Sequence, residues 1–126
     1  MGWELHITRA EHWWDGQHHP IDNKEWVQLV NNDDELSFDP INGDHFALWK
    51  QEETHWLELN EGRVSAKRPE QALYCKMLDI AVILNASVMD EEDRIYRLPG
   101  DLLNPPSAQS KPKLSWRQKM FNFIRR

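Results

Sequence analysis

The chain has 126 residues, of which 40% are hydrophobic and 29% charged, and its formal net charge is −6. This composition suits one compact domain and excludes a wholly disordered chain; it also excludes a membrane protein, because no window reaches the ~18 consecutive apolar residues of a spanning helix. The single Cys75 permits no internal disulfide and the N-terminus carries no secretion signal, so we expect a cytoplasmic location.

The first predicted elements are a strand, a loop and a capped helix. Apolar and polar residues alternate over residues 3–9, which predicts a half-buried strand. A loop then runs to Pro20. Asp22 and Glu25 have the spacing of a capping box, so we predict a helix from that point to about Asn31.

Three strands are predicted in the middle of the chain, after a turn at residues 39–44. They cover residues 45–50, 56–59 and 63–66. The residues between the last two strands have the composition of a tight hairpin, in which Gly62 is available for a positive φ.

The second helix is the clearest element of the sequence. It begins near Pro69, and Asn85 is placed to end it in the left-handed conformation. Its apolar residues predict a broad buried face made of Leu73, Tyr74, Met77, Leu78, Ile80, Ala81, Val82, Ile83 and Leu84. Two short strands follow, at residues 87–89 and 94–97, around an acidic turn.

These elements predict an α+β domain over residues 1–98. Its sheet is mainly antiparallel, with five or six strands in the order β-α-β-β-β-α-β-β, and two helices cover it. Residues 99–114 are rich in proline and are expected to form a linker. Residues 115–126 combine an apolar stripe with basic residues, which predicts a C-terminal amphipathic helix.

The sequence carries no motif that points to catalysis, a metal or a cofactor. His12, His18, His19 and Asp15 are close in sequence, but their spacing matches no zinc motif. Acid pairs in turns usually stay solvated, and glycine-rich phosphate loops and nucleophile motifs are missing. We therefore expect a protein that is not an enzyme and binds neither metal nor cofactor.

Seven tryptophans are present: Trp116 belongs to the tail, and the other six fall into two groups. Trp13 and Trp14 are adjacent in the first loop, where they either meet a partner or fold back as a lid over the sheet. The tryptophans on predicted elements are expected mostly in the core: Trp3, Trp26, Trp49 and Trp56.

The charge distribution indicates the kind of partner. Residues 1–100 hold nine Lys and Arg against twenty Asp and Glu, a net −11, whereas residues 101–126 hold six against one, a net +5. An acidic domain disfavours nucleic acid and favours a basic protein, although such a charge also serves solubility alone. The candidate contacts are the loop aromatics and acids Trp13, Trp14, Asp33, Asp34, Glu35, Glu52 and Glu53.

The basic tail has its own predicted contact. Because its charge opposes that of the domain, we expect it to dock on the acidic body of its own or a neighbouring chain, or to stay mobile, rather than to lie on a membrane. Such docking between chains would make a homo-oligomer. The residues expected to dock are Trp116, Met120, Phe123 and Ile124.

Several segments resemble a family of small, uncharacterised bacterial cytoplasmic proteins. They are MGWELHITRA at residues 1–10, the WWD at residues 13–15, the PI and EW pairs at residues 20–26, and the entry and exit of the second helix. The resemblance implies a strand, a helix, a Trp-rich middle, a second helix and a Pro-rich basic tail in that order, with no assigned active site. The turn at residues 90–93 lacks the glycine expected of the family.

Small acidic bacterial proteins of this size also resemble the immunity proteins of polymorphic toxin systems, by analogy of architecture. The first functional hypothesis is therefore a protein-binding module that occludes a basic toxin, such as a nuclease. The alternative is a small structural or regulatory homo-oligomer without catalytic activity. An enzyme or metal protein that uses the clustered histidines is the third hypothesis.

Overall fold

The computed structural model describes residues 3–41 and 43–106. Within these residues the chain forms one seven-stranded sheet, two α-helices and two 3-10 helices. The strands are β1 Glu4–Thr8, β2 Leu36–Asp39, β3 Gly43–Trp49, β4 Glu52–Asn60, β5 Arg63–Lys67, β6 Ser87–Met89 and β7 Ile95–Tyr96. The helices are α1 Asn23–Asn32, α2 Gln71–Leu84, the first 3-10 helix Trp13–His18 and the second 3-10 helix Pro99–Leu102.

The sheet confirms the α+β class but corrects the predicted strand count. Its spatial order is β2-β3-β4-β5-β1-β6-β7, and every neighbouring pair is antiparallel. The prediction of five or six strands was wrong because β2 was missed. This strand has four residues, too few to show the period-two alternation, and it forms by pairing with β3 at the sheet edge.

The start of α1 is as predicted. The Asp22 carboxylate accepts a hydrogen bond from the backbone N–H of Lys24, and the Glu25 carboxylate accepts one from the backbone N–H of Asp22. These bonds satisfy donors that a helix leaves unpaired at its N-terminus. On the inner side of the helix, Trp26 is fully buried.

The core positions predicted for α2 are confirmed, but the width of its buried face is not. Met77 and Ile80 are fully buried, and Asn85 ends the helix in the left-handed conformation with φ 55°. Val82 and Ile83 are 80% and 67% exposed. Only one side of α2 meets the sheet, so residues beyond that stripe remain in solvent.

Both helices pack on the same face of the sheet, here called the helix face. Strand residues that alternate along β1, β4 and β5 join the helix side chains in a single apolar core. The core contains Leu5, Ile7, Leu57, Leu59, Val64 and Ala66 from these strands with Trp26, Leu29, Leu73, Met77 and Ile80 from the helices. The strand side chains that alternate with these core residues point to the opposite face of the sheet, because successive residues of a strand face opposite sides.

The described structure continues past residue 98, into the segment predicted as a linker. The Tyr74 hydroxyl donates a hydrogen bond to the Leu98 carbonyl at 2.6 Å, and Leu102 packs against the core. The second 3-10 helix therefore lies against α2. The predicted tail helix, residues 115–126, lies outside the described residues. Among the residues described, no helix has both the length and the apolar character to cross a membrane.

Candidate functional site

A row of side chains crosses the sheet on the face opposite the helices. Through successive strand pairings, Phe46 is opposite Glu58, Glu58 opposite Ser65, Ser65 opposite His6 and His6 opposite Met89. Directly paired residues share a face. This row therefore places polar groups, including a histidine and a carboxylate, on the face that the helices leave free.

The first 3-10 helix covers the half of this face formed by β1 and β5. Trp13 stacks on the His6 ring, with 4.8 Å between centroids and 14° between planes. The Arg63 guanidinium lies 5.1 Å from the centroid of the Trp13 ring. Trp13 thus acts as a lid over β1 and β5, which was one of the two roles expected for it.

Trp14 lies differently from its neighbour. It is 59% exposed, and its ring stacks on His12 at 5.1 Å. The His12 Nδ1 is 2.9 Å from an Asp93 carboxylate oxygen, in the turn between β6 and β7. Trp14 therefore keeps most of its surface in solvent while the histidine beneath it is held in place.

The other half of the face is uncovered and partly apolar. Trp56 is 45% exposed, and its strand partner Leu48 and the neighbouring Phe46 are half-buried. We call Phe46, Leu48 and Trp56 the open apolar patch. Trp56 was expected mostly in the core, and that expectation was wrong because its position in β4 points away from the helices.

His6 is the most buried polar residue of this face, with 0% of its surface exposed. A hydrogen bond joins its Nδ1 to the Ser65 hydroxyl at 2.7 Å. Its Nε2 faces two carboxylates, at 3.3 Å from Glu91 Oε2 and 4.0 Å from Glu4 Oε1. Burial, reinforced by the positive charge of Arg63, lowers the pKa of His6 to about 4, so the ring is neutral at pH 7.

The chain of Ser65, His6 and Glu91 has the connectivity of a serine–histidine–carboxylate relay. A pKa of about 4 makes His6 a weak base at neutral pH, however, and general-base catalysis works best with a pKa near the working pH. A neutral imidazole with an oriented Nε2 is better suited to bind a proton donor or a metal ion.

The predicted acidic contacts Asp33 and Glu35 lie at the other side of the sheet, beside β2. Both bind the ammonium of Lys76, at 2.7 and 2.8 Å. Burial raises the pKa of the Asp33 carboxyl, but the hydrogen bond from Lys76 and the other favourable interactions of the carboxylate together outweigh burial. Lys76 also donates to Glu35, and the pKa of both carboxyls lies below the usual range. These two acids are therefore partly neutralised within the chain, while Asp34 is exposed.

The structure does not bring these acids together with the loop tryptophans. The first 3-10 helix contacts β1 and β5, and three strand spacings separate β5 from β2, which is roughly 14 Å. Glu52 and Glu53 were expected in a loop but are the first two residues of β4, and their side chains lie outside the described part of the chain. The tail residues expected to dock also lie outside it.

The grouping around His6 was not predicted from the sequence. The alternation over residues 3–9 did place Glu4 and His6 on one face, and this was the available signal. The remaining partners, Ser65 and Glu91, are 59 and 85 residues away from His6 along the chain. Only the strand pairing brings them together.

Comparison with known proteins found no relative of this chain. No family model matches the chain, and no match was found among the curated proteins or the solved structures.

Proposed function

We propose that this chain is a protein-binding module that holds a basic protein on the uncovered half of its sheet. The observation that carries the proposal is the open apolar patch, in which Trp56 keeps 45% of its surface in solvent on a face without helices. Tryptophan is enriched among the residues that dominate binding energies at protein interfaces. A strand position gives it a fixed orientation.

The charge around this patch favours a basic partner. Glu58 lies beside Phe46 in the cross-strand row, and residues 1–100 carry a net charge of −11. Such a potential steers a positively charged protein toward the surface and selects against nucleic acid. An apolar centre with a polar border is the usual division between the core and the rim of an interface.

The partner class that fits this surface is a basic toxin, such as a nuclease with a positively charged phosphate site. The acidic face would occupy that site in place of phosphate, so the module acts as an immunity protein by occlusion and needs no catalytic group. The analogy of architecture with small acidic immunity proteins favours the same class.

The experiment is a growth-rescue assay with the protein encoded by the gene adjacent to that of this chain. We expect that protein to arrest growth when expressed alone, and the full chain to restore growth and to bind it at equimolar ratio. Trp56→Ala should lose both effects. Trp3→Ala is the matched control, since Trp3 is 44% exposed but falls in phase with Leu5, toward the helix face.

Two results would overturn the proposal. One is that neither adjacent gene product is toxic or binds the chain. The other is that Trp56→Ala and Trp3→Ala bind as well as the natural chain. Light scattering then tests the alternative, a homo-oligomer without a foreign partner, because its mass would exceed that of one chain at every concentration tested.

A further inference from the structure

Three ligand atoms converge beside the Trp13 lid. Glu4 and His6 are two residues apart in β1 and therefore share a face, and Glu91 reaches them from the turn between β6 and β7. The histidine nitrogen and the two carboxylate oxygens all lie within 4.8 Å of one another. Among the residues that the structure describes, no other set of three His, Cys, Asp or Glu side chains converges in this way.

We propose that Glu4, His6 and Glu91 form a binding site for one divalent transition-metal ion, with Zn²⁺ as its best occupant. The proposal is independent of the protein-binding function above.

The distances suit such an ion. Zinc binds histidine nitrogen and carboxylate oxygen at about 2.0–2.2 Å, so two ligands of a tetrahedral site lie roughly 3.3–3.5 Å apart. The separation of His6 Nε2 from Glu91 Oε2 is already 3.3 Å, and that from Glu4 Oε1 is 4.0 Å. The two carboxylate side chains are 31% and 46% exposed, so a small rotation of each closes the site around an ion.

The surroundings of His6 orient it for ligation. Its Nδ1 forms a hydrogen bond with the Ser65 hydroxyl, and the stacked Trp13 ring fixes the plane of the imidazole. When Nδ1–H donates to Ser65, the Nε2 lone pair points at the carboxylates, where a cation can accept it. Metal-binding histidines commonly use their second nitrogen in this way.

The charges also favour a cation. In the described part of the chain, neither Glu4 nor Glu91 is paired with a lysine or arginine. Two cations lie nearby. The Arg63 guanidinium is over Trp13 and binds Glu61 at 3.2 Å, and Lys67 is the strand partner of Glu4 but forms no ion pair with it in the structure as described. Two carboxylates and a neutral imidazole would balance the charge of one divalent ion.

The ligand chemistry separates transition metals from Mg²⁺ and Ca²⁺. The latter prefer six or more oxygen ligands, whereas an imidazole nitrogen favours zinc and its neighbours. Three protein ligands leave a fourth tetrahedral position for water. The ion would also tie β1 to the turn between β6 and β7.

The test is calorimetric titration of the full chain, purified without a histidine tag and stripped with a chelator, with ZnCl₂ and separately with MgCl₂. We expect one Zn²⁺ per chain and no measurable heat from Mg²⁺. Glu91→Gln should weaken Zn²⁺ binding at least tenfold. Glu92→Gln, which removes the same charge from the same turn, should change it less than twofold.

A second measurement identifies the ligands, since His12, His18 and His19 can also take up zinc. Long-range ¹H–¹⁵N spectra of the histidines should show the His6 Nε2 resonance shifting with the first equivalent of Zn²⁺. The proposal is overturned if no Zn²⁺ binds at millimolar concentration. It is equally overturned if Glu4→Gln and Glu91→Gln both bind as the natural chain does, or if the first equivalent shifts the other histidines and leaves His6 unmoved.

Discussion

The backbones of Gly16 and Gly62 are in direct contact, where the first 3-10 helix meets the turn between β4 and β5. A Cβ atom added to Gly16 would lie 2.6 Å from the carbonyl oxygen of Glu61, and Gly62 itself has φ 81°. The turn has positive φ at both Glu61 and Gly62, as in the tight hairpins that match the twist of a sheet. This contact holds the Trp13 lid over His6.

The first prediction concerns this contact. Gly16→Ala forces a methyl group against a backbone carbonyl and should lower the free energy of unfolding by about 1–3 kcal/mol, as overpacking does. Urea denaturation measures the change. Gly100→Ala is the control, because a Cβ at Gly100 meets nothing within 4 Å. Equal midpoints for the two variants would show that the 3-10 helix is not held by this contact.

A second prediction tests the cap of α1. Asp22→Ala removes an acceptor for a backbone donor and should cost about 0.5–2 kcal/mol of stability. Asp22→Asn keeps the acceptor and should lose much less. Scanning calorimetry of the three proteins gives the order of their melting temperatures, and a melting temperature for Asp22→Ala equal to the natural value would argue against the cap.

The third prediction compares two faces of α2. Ile80→Ala opens a cavity in the core and should cost about 2–5 kcal/mol. Val82→Ala, on the exposed side of the same helix, should stay within about 0.5 kcal/mol of the natural chain. Chemical denaturation distinguishes them, and similar losses at both positions would contradict the orientation of α2.

Acidification tests the burial of His6. Its pKa is about 4 in the folded chain against 6.5 for the free side chain, so the unfolded chain takes up the proton first as pH falls. Stability is therefore complete above pH 6.5 and declines toward pH 4, by about 3 kcal/mol in total.

The measurement is the free energy of unfolding at several pH values with a chelator present. His6→Gln should lose the decline between pH 6.5 and 4, whereas substitution of the exposed His19 by glutamine should keep it. A decline of the same size in His6→Gln would assign it to other groups. The carboxyls with lowered pKa values, such as Asp33, also lose stabilisation as the pH falls toward their unfolded values, but this part of the decline is common to both histidine variants.

A fifth prediction concerns the acids beside β2. Lys76→Met removes the ammonium that binds Asp33 and Glu35, so the pKa of the Asp33 carboxyl should rise. NMR titration of the aspartate side chains measures the shift. Lys24→Met, at an exposed position of α1, is the control and should leave the pKa of Asp33 unchanged.

The sequence by itself determined the elements that depend on local chemistry. The capping box at Asp22, the stripe of Met77 and Ile80, the stop at Asn85 and the positive φ at Gly62 all involve residues a few positions apart. Hydrogen bonds and side-chain spacing within one turn suffice to specify such features, so the sequence alone predicts them.

Only the tertiary structure decided which residues from distant parts of the chain come into contact. Strand pairing built β2 at the sheet edge, placed Leu48 beside Trp56 and brought Ser65 and Glu91 to His6. Each of these outcomes depends on contacts between segments far apart in the chain, which no local pattern encodes. From the sequence alone, His6 was therefore interpreted as an ordinary packed or solvated strand residue. The pairing of β1 with β5 and β6 is what places it beside two carboxylates beneath the Trp13 lid.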